Sequence, residues 1–309
     1  MIQFVAVVTA DGSTLKLPLS QLSEPGLYVK SVEGLGPAEA QINTTDISSG
    51  DGSVFNSSRV GARNIVLTLG FVDDPAQGYS VESARLATYR YFPVKQPVTF
   101  YVKTDNRYAA ITGYVESNEP NIFTDESETQ ISLVCPSPYF VSVDANATTS
   151  FSAISGGFEF AFSNEDLSEK LLKFATLRIL YEQSMVYSGD TATGFKIRIH
   201  ASSPATNPMI VKTSTGASMS LDTSKFGDIV GDGVSNMVAG DDIVLDTRLG
   251  SKTATLIRNA KTYNIVNCLS KNVRWLQITQ GANSFSYRAD AGGSALGVIF
   301  EYNTLYVGV

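Results

Sequence analysis

The segment GLGPAEAQINTTDISSGDGSVFNSSRVGARNIVLTLGF, residues 34–71, joins a stretch with almost no apolar face to a plain β-strand. At its end Ile65, Leu67, Leu69 and Phe71 alternate with smaller or polar neighbours, the period of a half-buried strand. Before that, residues 40–64 set Gly50, Gly52 and Gly61 among Ser, Asn and Thr and offer little to bury. A connection this long inside a compact domain is uncommon unless it has a function or no fixed structure. The reading that satisfies both facts is an arm: a long hairpin that cannot cover itself on its own subunit and is ordered by a neighbour. A closed assembly is thereby favoured over an enzyme.

The chain of 309 residues is long enough for two cores. Its hydrophobic share of 43% is that of a globular protein, whereas charged residues, at 17%, fall below the usual quarter. Ser, Thr, Asn and Gly fill the gap, as they do in strand-and-turn proteins. The first part reads as strand-rich, with strands at 2–8, 15–19, 26–32, 64–71, 98–103, 109–116 and 129–134. One helix is predicted from Ser80 as N-cap to about Tyr91, with Glu82 complementing the helix dipole and Pro93 and Pro97 ending it. Pro136 and Pro138 close the last strand.

The small polar run DANATTS marks a linker, giving an N-terminal domain over 1–144 and a C-terminal one over 145–309. The second part is almost all strand, at 158–162, 173–181, 194–200, 209–212, 218–221, 242–246, 254–257, 273–278, 284–287 and 296–302. Turns every 8–15 residues suit a β-sandwich.

Catalytic chemistry is poorly supplied. His200 is the sole histidine, which removes two-histidine zinc sites and leaves a Ser-His-Asp triad without a nucleophile signature; an exposed or paired strand histidine is the plainer reading. Cys135 and Cys268 are too few for a disulfide framework and have no basic sequence neighbour to activate them. Asp222, Asp228, Asp232, Asp241 and Asp242 suggest calcium, but no EF-hand spacing is present and Asx-turns account for the same residues. No cofactor or metal is expected. Acidic residues outnumber basic ones 30 to 23 without a Lys/Arg cluster, which argues against tight binding to nucleic-acid phosphates. The N-terminus has neither a basic n-region nor an apolar run long enough for a signal peptide, and no stretch is long enough to span a membrane. The chain is therefore expected to be made soluble in the cytoplasm, without membrane insertion. Trp275, Phe285, Tyr287, Phe300, Tyr302 and Tyr306 form either a sugar platform or, more simply, alternating core positions; Trp275 is the candidate sugar-facing aromatic.

With these pieces in place, the chain resembles the distal tail (Dit) proteins of long-tailed, siphovirus-type bacteriophages. The resemblance is carried in order by SSRVGARNIVLTLGF (57–71), YSVESARLATYRYFP (79–93), VTFYVKTDNRYAAITGYVES (98–117), TQISLVCPSPYF (129–140), AGDDIVLDTRLGSKTATLIRN (239–259) and WLQITQGANSFSYRADAGGSALGVIFEYNTLYVGV (275–309). It implies a mainly β protein: an N-terminal β-sandwich-like domain with one helix and a long hairpin arm, followed by a C-terminal galectin-like β-sandwich. The implied function is non-enzymatic, a structural hub of the tail tip or baseplate in the virion. A homo-oligomeric ring, a hexamer in that family, would join the tail-tube protein to the tail-associated fibre hub and the receptor-binding proteins. Phage DNA would pass through it without tight binding. Ile42, Thr44, Ile47, Val54, Phe55, Arg59, Val60 and Arg63 are the expected inter-subunit arm residues, and 202–240 looks like an insertion in the second domain. The alternatives are a carbohydrate-binding module for host cell-wall polysaccharide, a wall hydrolase, or a tail-tube protein.

Overall fold

The computed structural model describes residues 1–19, 26–76, 78–121, 127–143, 147–156, 175–179 and 181–309, with the backbone alone for 152–156 and 175–179. It divides into two compact units, Met1–Ala145 with Leu305–Val309, and Asn146–Thr304. Placing the whole of 145–309 in one C-terminal domain therefore differs from the structure at the end of the chain, where the last five residues belong to the first unit.

The first unit contains β1 (Ile2–Thr9), β2 (Thr14–Pro18), β3 (Leu27–Glu33), β4 (Ala40–Asp46), β5 (Ser53–Val60), β6 (Arg63–Phe71), helix α1 (Val81–Tyr91), β7 (Pro97–Thr104), β8 (Tyr108–Asn121), β9 (Glu128–Cys135) and β10 (Phe140–Ser142). Seven of these strands make one antiparallel path, β2-β1-β7-β8-β9-β6-β3, and β10 joins it by pairing with β8. Edge strands β2 and β3 approach each other, so the sheet curls into facing layers. Alternation decides what lies between them: Val98, Phe100 and Val102 of β7, Ile65, Leu67 and Leu69 of β6, and Ile131 and Leu133 of β9 are all buried in one core.

Helix α1 falls where the sequence places it. The Ser80 hydroxyl accepts from the Ser83 N–H, and the Ser83 hydroxyl accepts in return from the Ser80 N–H, a capping box built with serine at its third position. It packs over β1, β6 and β8 through Ala84 and Thr88, and buried Phe92 ends it.

The second unit contains β11 (Ala147–Ser150), β12 (Ser152–Gly156), β13 (Ala175–Ile179), β14 (Glu182–Tyr187), β15 (Lys196–Ala201), β16 (Met209–Lys212), β17 (Ala217–Ser220), α2 (Phe226–Val230), β18 (Asp242–Asp246), β19 (Thr253–Arg258), β20 (Lys261–Asn264), β21 (Gly281–Arg288) and β22 (Leu296–Tyr302). Two antiparallel sheets, β11-β22-β15-β18-β19-β20 and β14-β21-β16-β17, put their apolar faces into one core, and β12 pairs with β13. Its centre is aromatic: Phe195, Phe285 and Phe300 meet one another at centroid distances of 4.9–5.3 Å, and Phe151 reaches Phe300 at 4.8 Å.

Two strand expectations need comment. The stretch 158–162 lies outside the described residues. The stretch 273–278 is not a strand: its backbone is irregular and only Ile278 makes a bridge, to Thr193. Leu276 and Ile278 are buried and Val273 and Trp275 half-buried, so the alternation reports an anchored edge cover rather than a ladder.

Candidate assembly arm

Strands β4 and β5 pair with each other and with no other strand among the described residues, and every residue in both is exposed. An isolated two-stranded hairpin is marginal in water. Here side-chain bridges reinforce one face: Arg59 Nε donates to Gln41 Oε1 at 2.8 Å, Asn43 Nδ2 to Ser57 Oγ at 3.0 Å and Asn56 Nδ2 to Thr45 Oγ1 at 2.6 Å. At the tip, Ile47 N–H donates to the Gly52 carbonyl.

The register contains a bulge that decides what the other face carries. Asn43 opposes Ser57 but Thr44 opposes Phe55, leaving Asn56 as the additional residue. Were Asn56 paired in a regular ladder instead, it would take the place opposite Thr44, and Phe55 would oppose Thr45 on the Gln/Asn/Ser face. With the bulge, Phe55 joins Ala40, Ile42 and Val60. Ile42, Phe55 and Val60 are 64%, 61% and 39% exposed, so the hairpin presents an apolar face that its own chain does not cover. Covering what each of these side chains leaves exposed is worth about 1 kcal/mol.

The root of the arm is built quite differently. Arg63 is 3% exposed. Its Nε donates to the Pro138 carbonyl at 2.8 Å and its Nη2 to Val307 at 2.6 Å, while Nη1 donates to Gly34 and Gly36; the guanidinium lies 4.7 Å from the Phe140 ring centroid. One fork of five N–H groups thus ties the strand leaving the arm to the chain entering it, to the turn after β9 and to the C-terminal segment. Burial holds the Arg63 pKa below its ordinary value. It also pushes the neighbouring Cys135 thiol up to about 11, with the Arg63 charge pulling the other way. Gly34 has φ +82°, and a Cβ there would meet the Asn64 carbonyl oxygen at 2.1 Å, so only glycine lets the entering chain lie so close.

The C-terminal segment completes the root. Tyr306 and Leu305 pair with Phe140 and Val141, Arg107 Nη1 donates to the Gly308 carbonyl at 2.6 Å, and Val309 N–H donates to Leu35 at 3.1 Å.

Ile42, Thr44, Val54, Phe55, Arg59 and Val60 lie in the hairpin and Ile47 at its tip, all exposed. Arg63 is the correction: it is a buried clamp, not an exposed arm residue. The signal was present, since Arg63 shares the inward parity of Ile65, Leu67 and Leu69. A charge beside a polar loop masked it.

The other candidates are occupied by packing. Trp275 is half-buried against the second core with Lys252 Nζ 5.8 Å from its ring centroid, and Phe285, Tyr287, Phe300 and Tyr302 are buried. His200 Nδ1 lies 3.0 Å from Asp242 Oδ1 across the β15–β18 ladder. Asp222 accepts from the Ser224 N–H. Asp241, 1% exposed, takes Arg258 on both oxygens, and Arg258 also reaches Asp232 and the carbonyls of Val234 and Asn236. The Asp241 hydrogen bond chiefly holds the Arg258 pKa above its ordinary value. No cluster of three metal-ligating side chains occurs among the described residues, and no helix among them is long and apolar enough to cross a membrane.

No family model matches the chain, and no curated protein does. Solved structures do. The Dit protein (gp 19.1) of phage SPP1, described as a paradigm of the hub adsorption apparatus in phages infecting Gram-positive hosts, aligns with TM-score 0.62 at 13% identity, covering 97% of this chain and 98% of that one. A chain of the phage P2 baseplate, solved in its activated conformation with Ca, aligns at TM-score 0.46 and 10% identity over 98% of each chain. Aligned over nearly the full length of both chains, this chain has the fold of a phage distal tail protein.

Proposed function

We propose that this protein is a non-enzymatic hub of a phage tail tip, a hexameric ring joining the tail tube to the tail-tip and receptor-binding proteins. The observation that carries the reading is the arm, a hairpin exposed at every residue with Ile42, Phe55 and Val60 on one face. A donor arm and its landing surface on a neighbour are different parts of the molecule. Such head-to-tail contact repeats until it closes a ring or runs on as a fibre. The closed form is what the resemblance to the Dit family implies. Covering the hairpin also removes unpaired strand edges that invite aggregation. A net charge of −7 per copy suits a channel through which DNA slides without being held.

Size-exclusion chromatography with light scattering, followed by negative-stain imaging, tests this. Six copies around a central hole are expected. A monomer at every concentration would contradict it, and stacked open tubes would select a tube protein instead.

A further inference from the structure

An exchanged arm needs a landing surface, and the first unit carries one whose chemistry matches. Helix α1 buries Ala84 and Thr88 and turns Leu86 and Tyr89 outward, 53% and 44% exposed. Arg90 continues that stripe, since residues three and four apart are neighbours on a helix. Val94, 49% exposed, and exposed Lys95 follow just beyond the helix end. The surface thus combines apolar side chains with a positive end.

The arm has the complementary layout. Its apolar face carries Ile42, Phe55 and Val60, and its tip carries exposed Asp46 and Asp51. The eleven residues of α1 span about 16 Å, and a seven-residue strand about 23 Å, enough to lie along the helix and reach the turn beyond it. We propose that the outer face of α1 receives the apolar face of the arm from a second copy of this chain, with the acidic tip directed at Arg90 and Lys95. This rests on the ring reading above and names the surface that reading leaves open.

The native cysteines, Cys135 and Cys268, are both buried, so introduced thiols can be followed on their own. The chain carrying Phe55→Cys and Leu86→Cys, oxidised and run without reductant, is expected to give a ladder of covalent multimers. In parallel, Arg90→Glu with Lys95→Glu is expected to weaken self-association at least about tenfold, the equivalent of about 1.4 kcal/mol. Adding Asp46→Lys with Asp51→Lys should restore it. Circular dichroism melts confirm that each variant is folded, and a cysteine pair that unfolds is replaced by Ile42→Cys with Tyr89→Cys. Assembly of the unmodified chain without a ladder and without charge rescue would overturn this landing surface while leaving arm exchange standing. An internal disulfide with no gain in mass would show the arm folding back on its own helix and overturn both. A chain that never self-associates would do the same.

Discussion

Strands β5 and β6 are separated by two residues and teach opposite lessons. In β6, alternate residues enter the core and the ladder continues on both sides, to β3 and β9. In β5, all eight residues are exposed and one edge is open among the described residues. Both are antiparallel strands with good registers, so backbone pairing is not what distinguishes them. The difference is what each side chain has beneath it: a core for β6, and for β5 a surface that has to come from elsewhere. Between them Arg63 marks the boundary, a charge turned inward where the core strand begins.

That contrast can be broken from either side. The largest effect is expected from Leu67→Ala, which empties a fully buried site and should lower the unfolding free energy of the first unit by about 2–5 kcal/mol in denaturant titrations. Phe55→Ala in the monomeric state should change it by no more than about 0.5 kcal/mol, because the side chain is exposed. Its effect should appear as weaker self-association in sedimentation experiments. Equal stability losses at the two positions would dissolve the comparison.

Arg63→Met should be intermediate. It leaves four carbonyls, all in part-buried bonds, without their donor, at a cost of about 1–3 kcal/mol, and faster amide exchange is expected at 34–36 and 305–309. Unchanged exchange there would mean that the arginine does not hold the root of the arm.

Deleting Asn56 is a subtler test. It removes one polar residue and no apolar one, and turns the bulge into a regular ladder in which Phe55 still opposes Thr44. Self-association should persist, with little change in the melting of either unit. Lost assembly would show that the arm needs the bulge itself and not only the apolar face it carries.

The smallest effect is alkaline. Burial raises the Cys135 thiol from 9.0 to about 11, so the unfolded chain loses this proton first. The stability contributed by the neutral buried thiol is whole below pH 9, falls as pH rises, and is gone beyond about 11. Tyr287, raised by burial from 10.0 to about 12, adds a second decline over the next interval. Denaturation midpoints between pH 8 and 11 that fall no further than those of Cys135→Ala would remove the first contribution.

Much of this architecture is legible in the residues themselves. Ile65, Leu67 and Leu69 announce a strand, Ser80 a helix start, and the poverty of 40–64 an arm, because local periodicity and capping need no knowledge of partners. Sidedness was not legible. It depends on a one-residue bulge at Asn56, and register is a property of two strands together. Nor was the return of Leu305–Val309 to the first unit, a pairing across more than 160 residues of chain from β10. Arg63 and Arg258 were hidden for a shared reason: charge type says solvent, while the parity of each strand says core, and parity prevails where carbonyls or carboxylates receive the guanidinium.

Native mass spectrometry of the intact chain beside a variant lacking residues 44–58 is the most direct test. Six-copy rings are expected from the first and a folded single copy from the second. Intact hexamers of the shortened chain would contradict the account at its centre.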